Sequence, residues 1–513
     1  MKEIKPSDFL GRALLLGYSP KIITFILTAI SFPLVVRELG ASEFGVATIV
    51  GSIIGIIQLF GDGGISYAVG KAVAESRPMG NVHVRHTILV WVRAQICVTI
   101  PLFLLTLIAS FIIFDLVYER SISFFIFLVA AISSTLSIYS CFIRTVLRSL
   151  FSFGKLSILD SFESVARSVG WLIVAFKFPT AFGFVFAGMI SVLIGAVVAV
   201  VFLLTEIFSK PIGKKNSMAS VDKYQSAITI AEVLSVLKES TSFMLIRIVT
   251  QGFYQFPILT AGILQGPENA AVVAALLKLV DIINGPIVVL GNIIGVKAVE
   301  IRRKGAEAVR FLWDAEWRLC ATWFPLLAMY FVVSPEIASY MFQQENGMVM
   351  QTGVLMSFQV FSVFLIMHVI ASVFAVQVDY LGRAVERLRL MMLIGVIEVL
   401  FIAIGAFWGG LLGVILAISA SYIILVIGYV FLARLAFNVE HLNKIPADVF
   451  IFIMVTLIGL GCAVGIGHLF HLGMILTMAV KVVTILLFVF GAVSIIPLLK
   501  VKYCLRRLLM VEP

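Results

Sequence analysis

Long apolar runs separated by short polar turns make up almost the whole chain. They fall at about 12–36, 45–70, 87–114, 122–147, 156–176 and 180–207. A second group falls at about 240–262, 269–296, 315–341, 350–376, 389–408, 411–433, 449–470 and 473–499. A helix needs roughly 20 such residues to cross a bilayer core of about 30 Å. No run alternates with the period of two that a strand requires. The pattern predicts an all-α polytopic membrane protein with about fourteen transmembrane helices. The 411–433 helix depends on a very tight turn at Trp408-Gly409-Gly410.

One stretch, Arg37 to Glu75, sets the layout. A polar turn from Arg37 to Glu43 precedes an apolar run from Phe44 to Val69, and inside that run one carboxylate, Asp62, lies among Gly61, Gly63 and Gly64. A weak copy returns later, opening at Gly266-Pro267-Glu268-Asn269 and ending at Lys297-Ala298-Val299. The same 226 residues separate Gly40 from Gly266 and Lys71 from Lys297. Two six-helix lobes related by a parallel repeat, plus two extra C-terminal helices, are therefore expected. The N-terminal lobe is 1–208, and the C-terminal lobe is 240–435. Between them, 209–239 is a cytoplasmic hinge loop followed by an amphipathic interfacial helix from Ile228 to Glu239. Residues 436–513 hold helices thirteen and fourteen and the tail.

Composition agrees with the pattern: 61% of residues are hydrophobic and 13% charged, against about 25% charged in soluble domains. The net charge of +10 fits either a nucleic-acid partner or Lys- and Arg-biased cytoplasmic loops. Distribution decides between them, because every second loop is basic. Arg37, Arg120 and Lys177 are the only Lys or Arg residues of the alternate set. Both termini are thus expected in the cytoplasm, and the spread of cations over separate loops argues against nucleic acid. The five cysteines show no C-x-x-C spacing, so neither a disulfide frame nor a metal site is suggested. The N-terminal run is long and lacks a small-residue cleavage pattern, as an uncleaved insertion signal would.

Charges inside apolar spans cost roughly 2.5–3.5 kcal/mol each on insertion scales, and packing does not need them. Each is a candidate for lining a wet cavity. Lys21 follows Pro20, which bends a helix; the alternative is a lysine reaching to the interface. Asp62 either pairs with a cavity arginine or sits among headgroups at a helix end. Arg93, Arg144 and Arg247 either anchor at the interface or meet an anionic headgroup, for which the planar guanidinium fork is suited. Lys278 and Asp281 stand three residues apart on one helix face, as a self-neutralising pair or an ion-coupling site, with Gly285-Pro286 nearby. Glu398 stands mid-span without a local partner, as a proton carrier or a hydrogen-bonded structural acid. His368 reads as a core hydrogen-bonder. Glu163, Arg167, Glu316 and Arg318 read as interfacial, and helices thirteen and fourteen as lipid-facing packing with Lys481 near an outer end.

The residues Arg37, Leu39, Gly40, Glu43, Phe44 and Gly45 resemble the R-x-L-G-x-x-E-F-G entry of polysaccharide transporters. Leu59-Phe60-Gly61-Asp62-Gly63-Gly64-Ile65 is similar to the L-F-A-D-F-G-L stretch that ends their second helix. The resemblance covers the first helix pair, and Gly61 stands where Ala is common. It implies the superfamily of multidrug, lipid-linked oligosaccharide and polysaccharide exporters, and within it the O-antigen and exopolysaccharide repeat-unit flippases. It also implies a substrate, an oligosaccharide on a polyprenyl pyrophosphate, moved from the cytoplasmic to the outer leaflet of the inner (plasma) membrane. Lys21, Asp62, Arg93, Arg144 and Arg247 would then bind substrate, and Lys278, Asp281 and Glu398 would couple an ion. Membrane lipids, a polysaccharide polymerase and chain-length machinery are the implied partners, and no cofactor is implied. A lipid II flippase and a multidrug antiporter of the same superfamily stay open as alternatives. A membrane glycosyltransferase fits less well, since the outer loops are short. There is no Walker-type glycine loop and no H-E-x-x-H, so the drive is expected from an ion gradient or the membrane potential.

Overall fold

The computed structural model describes residues 6–76, 81–118, 124–150, 152–208, 230–280, 298, 306–342, 352–437, 446–469 and 480–485. The helices are α1 (Pro6–Asp62), α2 (Ile65–Ser76), α3 (Asn81–Tyr118), α4 (Phe124–Ser149), α5 (Phe153–Lys177), α6 (Ala181–Phe208) and α7 (Ile230–Gln265). After α8 (267–280) come α9 (Ala306–Ala321), α10 (Phe324–Met341), α11 (Thr352–Tyr380), α12 (Ala384–Phe437) and α13 (Ala447–Leu469). Among the described residues there is no strand. Seven stretches of described helix are long and apolar enough to cross a membrane, and the all-α membrane class is confirmed. The chain divides into two compact units, 8–274 and 275–513. The lobe boundaries expected at 208 and 240 concern the repeat, which this division does not test.

In the unit 8–274, two breaks shape the first helices, and each falls on glycine. Gly40 has φ 74°, a left-handed conformation that side chains disfavour. The chain reverses there, because Phe32 and Phe44 bring their rings to 5.7 Å. The expected span 45–70 is not one helix. It ends at Asp62 and restarts at Ile65, with Gly63 and Gly64 at φ 55° and 75°. α2 then packs on α3, α4 and α7. Its buried residues Ile65, Ala68, Val69 and Val73 form a core with Trp91 of α3, Val146 of α4 and Val236 of α7. Val236 corrects a second expectation. The stretch 230–239 is no separate surface helix but the first turns of α7, and its apolar face is buried in that core. The residues 209–229 of the expected hinge lie outside the described residues.

The opening motif is explained by contacts on three sides. Glu43 accepts a hydrogen bond at 2.8 Å from the backbone N–H of Ala181, capping one of the free donors at the start of α6. Phe44 sets its ring edge-on to Phe184, 5.5 Å away, and Phe184 stacks on Trp171. A Cβ at Gly45 would overlap the backbone carbonyl of Pro267, so glycine permits the closest approach between α1 and the start of α8. Gly266 itself has φ 93°. The two openings identified as copies thus share a left-handed glycine and lie against each other.

In the unit 275–513, α11 and α12 pack along each other, and the turn between them at Gly382 has φ 87°. Arg387 joins this corner by pairing with Asp379 and lying 5.5 Å from the Tyr429 ring. The tight turn expected at 408–410 is present: Gly410 leaves helical geometry at φ 57°. A Cβ on Gly405 or Gly413 would overlap the other's carbonyl, so the two arms of α12 cross there in backbone contact. α13 packs on α9 through Val449, Phe452 and Ala321, and on α10 through Ala463 and Val332. Lys481 is not a bare outer-end residue, since it pairs with Glu336 of α10 at 2.5 Å.

Gly64 is the sharpest test of this scaffold. A Cβ there would overlap the Ser240 carbonyl oxygen and crowd the Met244 nitrogen, both backbone atoms of α7. Gly64→Ala is expected to cost about 2–4 kcal/mol, from overpacking and left-handed strain. Gly51→Ala, with open space around it, is expected to be near neutral. Thermal unfolding in detergent compares the two, and equal midpoints would contradict the packing.

Candidate functional site

The charges expected to line a cavity separate into satisfied pairs and unpaired groups. Asp62, at the last residue of α1, is 1% exposed and ion-paired with Arg247 of α7. Its other oxygen accepts from the Ser66 hydroxyl in the first turn of α2. The glycines explain why this pair can form. Gly63 and Gly64 end α1 and let α7 approach within backbone contact, which carries Arg247 to the carboxylate. Sequence reasoning offered a cavity arginine as one partner for Asp62, and the structure supplies it.

Arg144 of α4 is held by Glu163 of α5 and lies 3.2 Å from Asp160. Arg167 grips the other Glu163 oxygen at 2.5 Å. Glu163 is buried, and Gly195 of α6 leaves room for it, since a Cβ at Gly195 would stand 2.6 Å from Oε2. Two arginines and two acids therefore form a neutral knot where α4, α5 and α6 meet. The reading of Glu163 as interfacial gives way here. The signal lay in Asp160, Glu163 and Arg167, which the three- and four-residue helical spacing places on one face.

Arg93 of α3 is exposed, and none of the ion pairs among the described residues includes it. Elsewhere in this unit the helices carry neutral polar contacts. Gln95 donates to Thr99 at 2.8 Å. Gln58 of α1 and Ser134 of α4 bond each other reciprocally, at 3.0 and 2.5 Å. Such bonds between helices are a common adhesive inside membranes, and sequence reasoning passed over them. Lys21 lies in α1, but its side chain is outside the described residues.

In the unit 275–513, Lys278 is half-buried on α8, while Asp281 and Gly285-Pro286 lie outside the described residues. Glu398 is 3% exposed on α12, and its Oε1 has no hydrogen-bond partner. His368 is buried beside Phe364 and Tyr422 with Ser372 Oγ at 3.4 Å, a core position. Glu316 is fully enclosed rather than interfacial. Among the described residues no three His, Cys, Asp or Glu side chains converge as metal ligands.

The Asp62–Arg247 pair makes an asymmetric prediction. Arg247 keeps 19% of its side chain exposed, so water can solvate it when Asp62 is lost. Asp62 has no such recourse. Arg247→Gln is expected to destabilise the protein by about 3–5 kcal/mol, the usual cost of an unpaired buried charge, and Asp62→Asn by less. The double variant is expected to recover part of the loss. A double-mutant cycle on thermal stability reads the coupling, and additive losses would contradict the pair.

Similarity to known proteins can be set beside this geometry. No curated protein matches the sequence. Among solved structures, an inward closed conformation of the lipid II flippase MurJ superposes with a TM-score of 0.66. It is 13% identical, with 94% of this chain and 99% of that chain covered. An inward-facing multidrug resistance MATE family transporter of the MOP superfamily gives a TM-score of 0.60 at 15% identity, with 83% and 98% covered. A MOP superfamily transporter from Pyrococcus furiosus, described as having reversed polarity of its binding pocket, gives 0.56 at 16%, with 86% and 100% covered. At these identities the likeness establishes a shared fold. The sequence model described as polysaccharide biosynthesis protein matches residues 14–293, more than half of the chain, and the protein belongs to that family.

Proposed function

We propose that this protein is a flippase for oligosaccharide repeat units carried on polyprenyl pyrophosphate, moving them from the cytoplasmic to the outer leaflet by alternating access. The physical problem is the sugar head. One hydroxyl taken into hydrocarbon without a partner costs about 4–8 kcal/mol on the harshest scale, so several sugars need a wet, polar path. The prenyl tail can stay in lipid throughout. Membership of the polysaccharide biosynthesis family and a fold shared with MOP superfamily transporters support this reading. Basic alternate loops favour cytoplasmic termini in the inner membrane.

The observation that carries the reading is Arg93. Among the proposed substrate-binding residues with described side chains, Asp62, Arg144 and Arg247 already satisfy one another or a neighbouring acid. Arg93 is a membrane-level guanidinium with no acid partner among the described residues, and it is exposed. A bidentate cation in a low-dielectric setting is suited to a pyrophosphate. Lys21 remains proposed as a second contact. Arg144 and Arg247 would bind substrate only by exchanging their carboxylates for phosphate oxygens, which makes them candidates for later steps of the cycle.

An inside-negative potential favours outward movement of negative charge by about 2.3 kcal/mol per charge per 100 mV. Arginines travelling with the headgroup would cancel much of this, so an ion is proposed to contribute, with Lys278, Asp281 and Glu398 as its coupling residues. A polymerase and chain-length machinery would take the product on the outer face.

Arg93→Lys is expected to keep more surface-polysaccharide export than Arg93→Ala, which should lose at least about tenfold, the equivalent of 1.4 kcal/mol. Export is measured by complementing cells deleted for the gene, at matched protein levels. Equal loss in both variants would remove Arg93 from headgroup binding. Export of organic cations instead would assign the protein to drug antiport.

A further inference from the structure

Glu316 is the most completely buried acid described. It is 0% exposed on α9, and neither carboxylate oxygen has a hydrogen-bond partner among the described residues. Glu398 has one fully buried oxygen without a partner, where Glu316 has both. The surroundings of Glu316 are also short of partners. Trp313, three residues earlier, has an unbonded Nε1. Its ring and that of Trp317 lie 5.3 and 5.4 Å from the Phe374 ring of α11. Gln377, one turn beyond Phe374, is fully buried with both amide atoms unbonded. α9 and α11, which meet through these rings, therefore each carry fully buried polar atoms without partners. A buried polar group without a partner implies a ligand, a water or a proton.

Charge decides among these. Among the described residues no cation pairs with Glu316. On its own helix the Cys320 thiol, one turn on, is its titratable neighbour. From α11 the nearest acid along the chain, Asp379, is already paired with Arg387. α13 packs on α9 through Val449 and Phe452. An ionised carboxylate sealed without a counter-charge or donors is costly, whereas one proton removes the charge and supplies a donor. A metal cation would need several further oxygen ligands, and no cluster of that kind is formed by the described residues.

We propose that Glu316 is a proton-binding site of the unit 275–513: its carboxylate takes one proton from water, is neutral when α9 is packed on α11, and releases the proton to water when that contact opens. Because the carboxyl is neutral only while it is enclosed, packing of α9 on α11 is linked to pH. The site would act as a further point, beside Lys278, Asp281 and Glu398, where a proton gradient enters the transport cycle, a consequence that rests on the flippase reading above.

Two measurements on the full-length protein separate the site from that reading. Infrared spectra in lipid at neutral pH are expected to show the carbonyl stretch of a protonated carboxyl, with part of that band lost in Glu316→Gln. Glu316→Asp, which keeps the acid, is expected to shift the band instead. In inverted vesicles carrying the cell's own lipid-linked sugar, Glu316→Gln is expected to keep basal translocation and lose its stimulation by an imposed pH gradient. An unchanged band in Glu316→Gln would overturn the proton site, as would an unshifted band in Glu316→Asp should the glutamine variant not fold. Unchanged stimulation would remove Glu316 from coupling. Loss of the band with no sugar translocation in any form of the protein would keep the proton site and overturn the flippase reading.

Discussion

The structure of the first unit depends on backbone-to-backbone contact that only glycine permits. At Gly45 the α1 backbone meets the carbonyl of Pro267, and at Gly64 the start of α2 meets Ser240 and Met244 of α7. In a bilayer the lipid is as apolar as leucine, so helices do not associate by hiding apolar surface. They hold by close packing and polar bonds. The Gly64 contact is what delivers Arg247 to Asp62. The ion pair and the glycines are one device: the glycines make the approach, and the charges make it specific.

That device changes the meaning of the family motif. Glu43 caps α6, Phe44 fills an aromatic cluster, and Gly40, Gly45 and Gly64 supply turns and contacts. None of these needs a substrate. The stretch most diagnostic of the family is scaffold, and its single membrane carboxylate is spent on holding α7. The knot of Arg144, Asp160, Glu163 and Arg167 does the same for α4, α5 and α6. Charge described inside this unit is largely paired, and Arg93 stands out because no ion pair among the described residues includes it.

Much of this architecture was legible beforehand. Run length and glycine punctuation located the reversals at Gly40 and Gly410, because span length and positive φ are local properties. The break at Gly63-Gly64 was missed because hydropathy continues smoothly across it, although the adjacent glycines were visible. The fate of the charges was less legible. Periodicity puts Arg144 and Glu163 on helices but says nothing about which faces meet. Glu316 was read as interfacial from its position along the span, and the structure encloses it completely. Depth follows from counting residues, whereas enclosure depends on α11 and α13, distant in sequence.

The central claim is that the sugar head of a lipid crosses the membrane through this protein. The most direct measurement is the sidedness of lipid-linked oligosaccharide in cells with and without the gene, read by an impermeant sugar-cleaving enzyme or lectin. The account predicts that deletion traps the lipid-linked unit on the cytoplasmic leaflet, and that restoring the wild-type chain returns it to the outer leaflet. Unchanged sidedness on deletion, with no other exporter compensating, would contradict it.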